Sequence, residues 1–373
     1  MKRQPVNLKN KDNPFPLIFN SRENRSGIPL SLQPNDDAMT RQIALLLVFV
    51  GALCPACKKE GQFIFNEGFD HATTYHMTYE SPNGKDLHEG IAAVLKKANR
   101  SLSTFDPHST ISKVNQNKDT VLDDYFLTVY RKAMEIAEIT GGAFDITVAP
   151  LVNAWGFGFK NKEQITPALI DSLKQLVGYQ KVRLENGKII KQHPNTMLDC
   201  NALAEGYMCD LVAGYLAEQG CKNYMVEIGG EVVVRGKNTK GKPWRIGVSK
   251  PDDGSLGNQE LEAIVGLTDK ALATSGNYRN FYLEDGKKYA HTIDPKTGCP
   301  VQHNLLSATV LADHCMTADA FATAFMVLGL GRAIELADSI REIEVYFIYA
   351  DEAGQYKSYA SEGFVPLLIR ENN

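Results

Sequence analysis

The chain has 373 residues, a formal net charge of −4 and 43% hydrophobic residues, enough for one large domain or two smaller ones with a real core. Its near-neutral balance and dispersed Lys and Arg exclude a polyelectrolyte surface, so no nucleic-acid partner is expected. The seven cysteines, at positions 54, 57, 200, 209, 221, 299 and 315, are too scattered for a disulfide framework.

Residues 1–38 are polar, carry Pro5, Pro14, Pro16, Pro29 and Pro34, and show little periodicity, so disorder or an upstream extension is expected there. Met39 opens a different pattern. Arg41 gives a positive start, Ile43 to Leu53 an apolar run too short to span a bilayer, and Ala56–Cys57 a small residue before a cysteine. Residues 39–58 therefore predict an export signal of the lipoprotein kind with Cys57 lipidated, Cys54 being the weaker candidate. That places the body outside the cytoplasm, membrane-anchored and facing the periplasm. The rival reading, a redox or zinc Cys-x-x-Cys, lacks a second ligand pair nearby.

The folded body is expected over 62–373. Residues 71–80 are β-branched and aromatic and suit a strand, and Ile91, Val94, Leu95, Ala98 and Leu102 fall at helical spacing over 87–102. A hydroxyl-rich loop is expected over 102–115. A helix over 123–139 stops at Gly141-Gly142, and a buried segment over 143–158 carries Asp145. Thr166 as cap, Pro167 in the first turn and Gly178 as terminator predict a helix over 166–177. Asn186-Gly187 predicts a hairpin over 181–191.

Over 197–220 a strand end runs into a helix closed by Gly220, with Asp199 at the junction and Glu205 about a turn inside. Tyr224–Gly229 and Glu231–Gly236 read as strands across a Gly pair. Further strands are expected over 244–250 and 261–268, then a hairpin at Asp285-Gly286 that delivers His291 into Thr-Ile-Asp-Pro. A strand over 305–311 leads into CMTADAFATAFMVLGLG, where Thr317 offers a cap, Gly329 a stop, and alanines leave one face open to close approach. Asp319 and Thr323, four apart, share that face. An aspartate and a hydroxyl without His or Cys suit a hard cation such as Mg²⁺ better than zinc. A helix over 331–340 and a strand over 345–350 follow. The pattern is α+β.

Asp145, Asp199, Glu205, His291, Asp319 and Thr323 each lie near an element end beside small residues, which fits a phosphate-bearing ligand held by a metal, with a proton carrier at hand. No phosphate-loop lysine or dinucleotide fingerprint is present. Residue types alone do not reach the ligand or the acceptor.

Six segments, GGAFDITVAPLVNAWGFG, LDCNALAEGYMCDLV, VEIGGEVVVRG, ALATSGNYRNFY, HTIDPKTGCPV and MTADAFATAFMVLG, occur in the order found in the FAD:protein FMN transferases, and over about 70–365 the chain resembles that family (the ApbE flavin transferases). The resemblance implies one two-lobed α+β body. It also implies an Mg²⁺-dependent transfer of the FMN half of FAD to a Thr or Ser of a target protein, with release of AMP. The targets it implies are flavin-carrying subunits of membrane redox complexes, such as the sodium-translocating NADH:quinone reductase. Carried over by position, the metal ligands fall on Ala202 (through its carbonyl), Asp319 and Thr323. The FAD contacts fall on Ala143, Phe144, Asp145, Asp199, Glu205 and Ile293. His291 matches the family's histidine before the Asp-Pro turn, Asn115 a further position, and the proton from the acceptor hydroxyl goes to Asp319 or His291.

Three departures bear on affinity. His71-Ala-Thr-Thr74 replaces a common Met-Gly-Thr-Thr, Glu205 stands where many members have Lys, and Cys200-Asn201 replaces a Gly-rich pair. Two rival functions share the same features: an FAD pyrophosphatase passing FMN to water, and a lipid-anchored flavin-binding protein without turnover.

Overall fold

The aromatic and β-branched run after residue 61 folds as two strands, β1 (Gln62–Asp70) and β2 (Thr73–Ser81), paired antiparallel with Gln62 opposite Ser81 and Asp70 opposite Thr73. The computed structural model describes residues 61–70, 73–158, 163–251, 260–277, 281–284 and 287–369. The expected disordered and export segments, with Cys57 and Cys54, lie outside the described residues, as do His71 and the Asp285-Gly286 turn.

Helix α1 (His88–Leu102) buries Ile91, Leu95, Ala98 and Leu102 along the predicted face. The loop expected over 102–115 contains a short helix instead, α2 (Thr110–Asn115). The Ser109 hydroxyl, accepting from the Ser112 N–H, caps it, so the serines read as turn chemistry start a helix. Helix α3 (Asp124–Ile139) is capped by Asp123 and ends before Gly141 and Gly142, both at positive φ. The buried 143–158 segment forms a 3-10 turn, Ile146–Val148, and α4 (Ala149–Ala154). Thr166 caps α5 (Pro167–Lys174), which ends three residues earlier than its pattern suggested. Strands β3 (Val182–Glu185) and β4 (Lys188–Lys191) join through Asn186 and Gly187, at φ 50° and 73°, the left-handed pair a tight hairpin requires.

No strand end precedes α6 (Asn201–Glu218). The 197–200 segment hydrogen-bonds to a side chain and a turn rather than to a sheet, which its sequence could not reveal. Strands β5 (Tyr224–Ile228) and β6 (Glu231–Arg235) meet across Gly229-Gly230 as expected. Then come β7 (Trp244–Ser249), β8 (Leu261–Leu267) and β9 (Lys270–Gly276), the last unforeseen because its small residues carry no strand signature. Hairpin β10 (Phe281–Glu284) and β11 (Lys287–Ala290) precede β12 (Leu305–Ala312). Helices α7 (Cys315–Leu328) and α8 (Leu330–Ser339) flank Gly329, at φ 73°, and β13 (Glu344–Ala350) and β14 (Tyr356–Ala360) close the body.

Eight strands form one sheet in the order β1-β2-β5-β6-β9-β12-β13-β14, every neighbouring pair antiparallel. Helices packed on an antiparallel sheet confirm the α+β class. Its two faces are both covered. Val233, Ala271, Ala273, Ala308 and Val310 look toward the helices, while Val232, Val234, Leu272, Leu311 and Ile348 pack against Trp244, Ile246 and Val265 of the β7–β8 hairpin. This is why β6 reads as an unbroken apolar run instead of alternating. A smaller apolar cluster gathers Leu151, Trp155, Ile170, Val177 and Ile293. Among the described residues no helix is long and apolar enough to cross a membrane.

Candidate functional site

Helices α6 and α7 lie against each other, and α7 also packs across β9 and β12. What brings α6 and α7 so close is Gly206. A methyl group there would stand 2.6 Å from the Cys315 carbonyl oxygen and 2.9 Å from Cβ of Asp319, too near for any side chain. The Gly206 N–H donates to Oδ2 of Asp319 at 3.1 Å. In a regular helix that same N–H faces the carbonyl four residues back, which belongs to Ala202. Regular helix geometry therefore sets the Ala202 carbonyl on the side of Gly206 that Asp319 approaches. The second Asp319 oxygen meets no donor among the described residues.

The N-terminus of α7 is not capped by Thr317, which lies inside the helix. Asp210, one turn beyond Gly206, reaches across from α6. Its Oδ1 accepts from the Cys315 N–H at 2.9 Å and its Oδ2 from the Met316 N–H at 3.0 Å. A carboxylate on two first-turn amides that have no partner within their own helix is favourable twice over, through hydrogen bonding and the helix dipole. Asp210 and Gly206 fix α7 at two points and thereby place Asp319. Nearly all of α7 is buried, Asp319 being 8% exposed, while Thr323, one turn on, is half-buried on the same face.

The site is rich in uncompensated carboxyls. Burial pushes Asp319 up to about 8, its Gly206 hydrogen bond opposing and the Glu205 and Asp210 charges adding. Burial raises Glu205 as well, with Glu227 and Asp70 contributing, and Glu205 faces Glu231 closely enough to share a hydrogen bond. Glu231 is 7% exposed, and its Oε2 has no partner among the described residues. Burial first, then Asp319 and Glu205, hold Glu231 well above the carboxylate range. A methyl group on Gly229 would stand 2.3 Å from Oε2 of Glu205 and 2.9 Å from the Thr73 hydroxyl, so the β5–β6 turn and the start of β2 border this pocket of acid. No three His, Cys, Asp or Glu side chains among the described residues group as a metal cage by themselves. The expected set of one carboxylate, one carbonyl and one hydroxyl does not call for such a group.

Asp199 stands just before the start of α6. One oxygen accepts from the Asn201 N–H at 2.8 Å; the other has no donor among the described residues, and burial raises the pKa of the carboxyl above the usual carboxylate range. Its backbone is held on both sides. The Asp199 N–H donates to the Ile146 carbonyl at 2.7 Å. The Asn115 amide clasps Leu198, donating to its carbonyl at 2.8 Å and accepting from its N–H at 2.7 Å.

The 143–145 segment is fastened inward. The Phe144 N–H donates to the Thr140 hydroxyl at 3.1 Å, and the Phe144 ring sits in the main core. Ala143 is buried beside it. Asp145 accepts from the Thr147 N–H at 2.8 Å, the Thr147 hydroxyl at 2.6 Å and the Tyr179 N–H at 2.7 Å. Ile293 belongs to the smaller apolar cluster, and half-buried His291 stands edge-on to Phe157, ring centres 6.4 Å apart. Beside these elements lies a cavity of about 640 Å³ lined by Thr104, Ser112, Asn115, Asn153, Pro194 and Met197, within the size range of small-molecule sites.

The structure therefore brings Glu205 and Asp319 together at the α6–α7 contact, places Ala202 one turn before Gly206 on α6 and Thr323 one turn after Asp319 on α7, and sets Asp145 and Asp199 on other segments. Gly206, Asp210 and Glu231 escaped the sequence reading. A signal existed for the first two, since 202, 206 and 210 repeat every four residues and so share a helix face.

The ApbE family model matches residues 71–347. A FAD:protein FMN transferase of Haemophilus influenzae is 38% identical over 325 residues, covering 83% of this chain and 93% of that protein. One from Vibrio cholerae is 36% identical over 337 residues, covering 88% and 98%. Among solved structures, the flavin transferase ApbE from Vibrio cholerae superposes with a TM-score of 0.75 at 36% identity, covering 83% of this chain and all of that one. The apbe protein from Thermotoga maritima gives 0.73 at 26%, with the same coverage. With these relatives and structural neighbours, the chain is an enzyme of the transferase class. The chain belongs to the ApbE family.

Proposed function

We propose that this protein is an Mg²⁺-dependent FAD:protein FMN transferase that links FMN to a Thr or Ser of a target protein and releases AMP. The observation that carries the reading is the α6–α7 contact, where the buried Asp319 carboxylate accepts from the Gly206 N–H, with half-buried Thr323 one helical turn further on. The donor set fits a hard divalent cation: its donors are all oxygen, and Asp319, Glu205 and Glu231 crowd together, with Oε2 of Glu231 and the second oxygen of Asp319 lacking partners among the described residues. Ala202, Asp319 and Thr323 would hold it. When bound, Mg²⁺ neutralises charge on the diphosphate.

The chain's own residues do the rest. Asp199 presents a free carboxylate oxygen beside the helix start, and Glu205 lines the acid pocket. Asp145, its oxygens already engaged, shapes the wall with Ala143 and Phe144, while Ile293 adds an apolar surface. In the transfer, the acceptor hydroxyl oxygen bonds to the FMN phosphorus as the anhydride P–O bond breaks and AMP leaves. The hydroxyl proton passes to Asp319 or His291. Exclusion of water from the buried pocket favours the protein acceptor over hydrolysis.

The order of charge, apolar run and cysteine over 39–57 supports export and anchoring through a lipid on Cys57, and the family likeness supports a flavin subunit of a membrane redox complex as the target. Incubating the protein with FAD, Mg²⁺ and such a subunit from the same genome tests the whole reading. Flavin fluorescence on the denatured subunit together with AMP is expected. Free FMN with an unlabelled subunit would make the protein a pyrophosphatase, and FAD retained intact with Mg²⁺ would make it a flavin carrier. Either result overturns the proposal.

A further inference from the structure

Two stretches of backbone wall the cavity without pairing as strands: residues 115–117 at the end of α2, and residues 194–197 on the approach to α6. The Lys191 side chain, from the last position of β4, lies behind both. Its Nζ donates to the carbonyls of Thr196 at 2.9 Å, Pro194 at 3.1 Å, Val114 at 3.2 Å and Asn115 at 3.4 Å. An ammonium has three N–H groups, so these four oxygens share them. A lysine on a protein surface ordinarily keeps its head in water. This one is drawn among backbone carbonyls, as a bare ammonium or potassium ion would be.

We propose that Lys191 is a positioning residue whose ammonium sets the spacing of the two cavity walls, and through them the placement of Asp199, for a dinucleotide bound between them. The inference rests on the reading of the site as a place for FAD. Other bonds hold the same stretches together: the Asn115–Leu198 clasp, and the Asn117 amide donating to the Pro194 carbonyl at 3.0 Å. Loss of the ammonium therefore loosens the spacing of the walls while the fold survives. The cage has a chemical consequence as well. Once the side chain is cut back, a free ammonium ion fits where the Lys191 head was, because carbonyl oxygens at about 3 Å suit it and smaller, tightly hydrated sodium does not fit as well.

The experiment uses the full chain and titrates FAD in the presence of Mg²⁺ by flavin fluorescence. It compares wild type, Lys191→Ala and Lys191→Met, with ammonium, methylammonium or sodium chloride at equal ionic strength. Melting temperatures and amide hydrogen exchange are recorded alongside. Both variants are expected to bind FAD about tenfold more weakly, the loss typical of a hydrogen-bonded charged group. Their melting temperatures should stay near wild type, with faster exchange over 114–117 and 194–198. Ammonium or methylammonium should restore binding to Lys191→Ala and leave Lys191→Met, whose stem fills the space, unrestored. Wild-type affinity in both variants, or unchanged exchange over the two walls, overturns the proposal. So does a loss in Lys191→Ala that ammonium fails to repair. If wild type itself binds no FAD, the reading of the site has failed, and the exchange data alone then decide whether Lys191 spaces the walls.

Discussion

Asp145 and Asp319 are both buried aspartates, and burial raises both above the usual carboxylate range. They differ in what their oxygens already do. Asp145 accepts three hydrogen bonds and ties the 145–147 turn to residue 179. Asp319 accepts one, from a helix that approaches only because residue 206 has no side chain. The lesson is that burial marks a polar residue as purposeful, but the donors around it decide the purpose. A carboxylate whose lone pairs are filled by its own chain holds the fold together; one left with an open oxygen among other carboxyls is poised for a cation.

The sharpest way to break this comparison is to remove each carboxylate and ask whether chemistry or stability suffers. For Asp319→Ala, flavin transfer to the acceptor is expected to fall by about a hundredfold or more, the loss typical of removing a preorganised electrostatic group. Mg²⁺ together with FAD should no longer raise the melting temperature as it does for wild type. Near-normal transfer by this variant would dissolve the assignment. Asp145→Ala reverses the balance. The Thr147 and Tyr179 amides lose their acceptor, and urea unfolding should show a loss of about 3 kcal/mol, while any folded fraction keeps its Mg²⁺ response. If Asp145→Ala unfolds normally but loses FAD, its carboxylate touches ligand after all.

Gly206→Ala asks whether the close helix approach places Asp319. A methyl group 2.6 Å from the Cys315 oxygen must push the helices apart, at a cost of about 2 kcal/mol by urea unfolding, and transfer should drop further than that loss explains. Asp210→Ala removes the reach across to α7 and should cost about 1 kcal/mol, as a lost helix cap does, with a weaker apparent affinity for Mg²⁺. At the small end, Lys188→Ala breaks an ion pair with Asp119 in which both side chains are mostly exposed. Neither melting temperature nor transfer should change measurably. A large effect there would mean that the β3–β4 hairpin supports the site more directly than its contacts suggest.

Local signals carried much of the fold. The cap at Thr166, the stops at Gly141 and Gly329, and the Asn186-Gly187 turn each act within a few residues, so a linear pattern contains them. The misses share an opposite cause. Strand β9 is made of small residues whose only reason to extend is the pairing of Leu272 with Val232 and of Ala273 with Val310 across the chain. The 197–200 segment looks like a strand but takes its partner from the side chain of Asn115, 83 residues away. Thr317 was a reasonable cap by type and position, but Asp210 supplies that bond from another helix.

The site divides in the same way. The spacing of Asp319 and Thr323 settled that they share a helix face, because helical geometry is local and periodic. The six family-like segments settled which residues to gather. Only the tertiary structure decided that Gly206 brings the carbonyl side of α6 against Asp319 and that Glu231 is left with an oxygen unpartnered. It alone decided that Asp145 is fully engaged while Asp199 is not. Whether a buried polar atom finds a partner depends on distances between segments far apart in the chain, and no pattern along the chain encodes those distances.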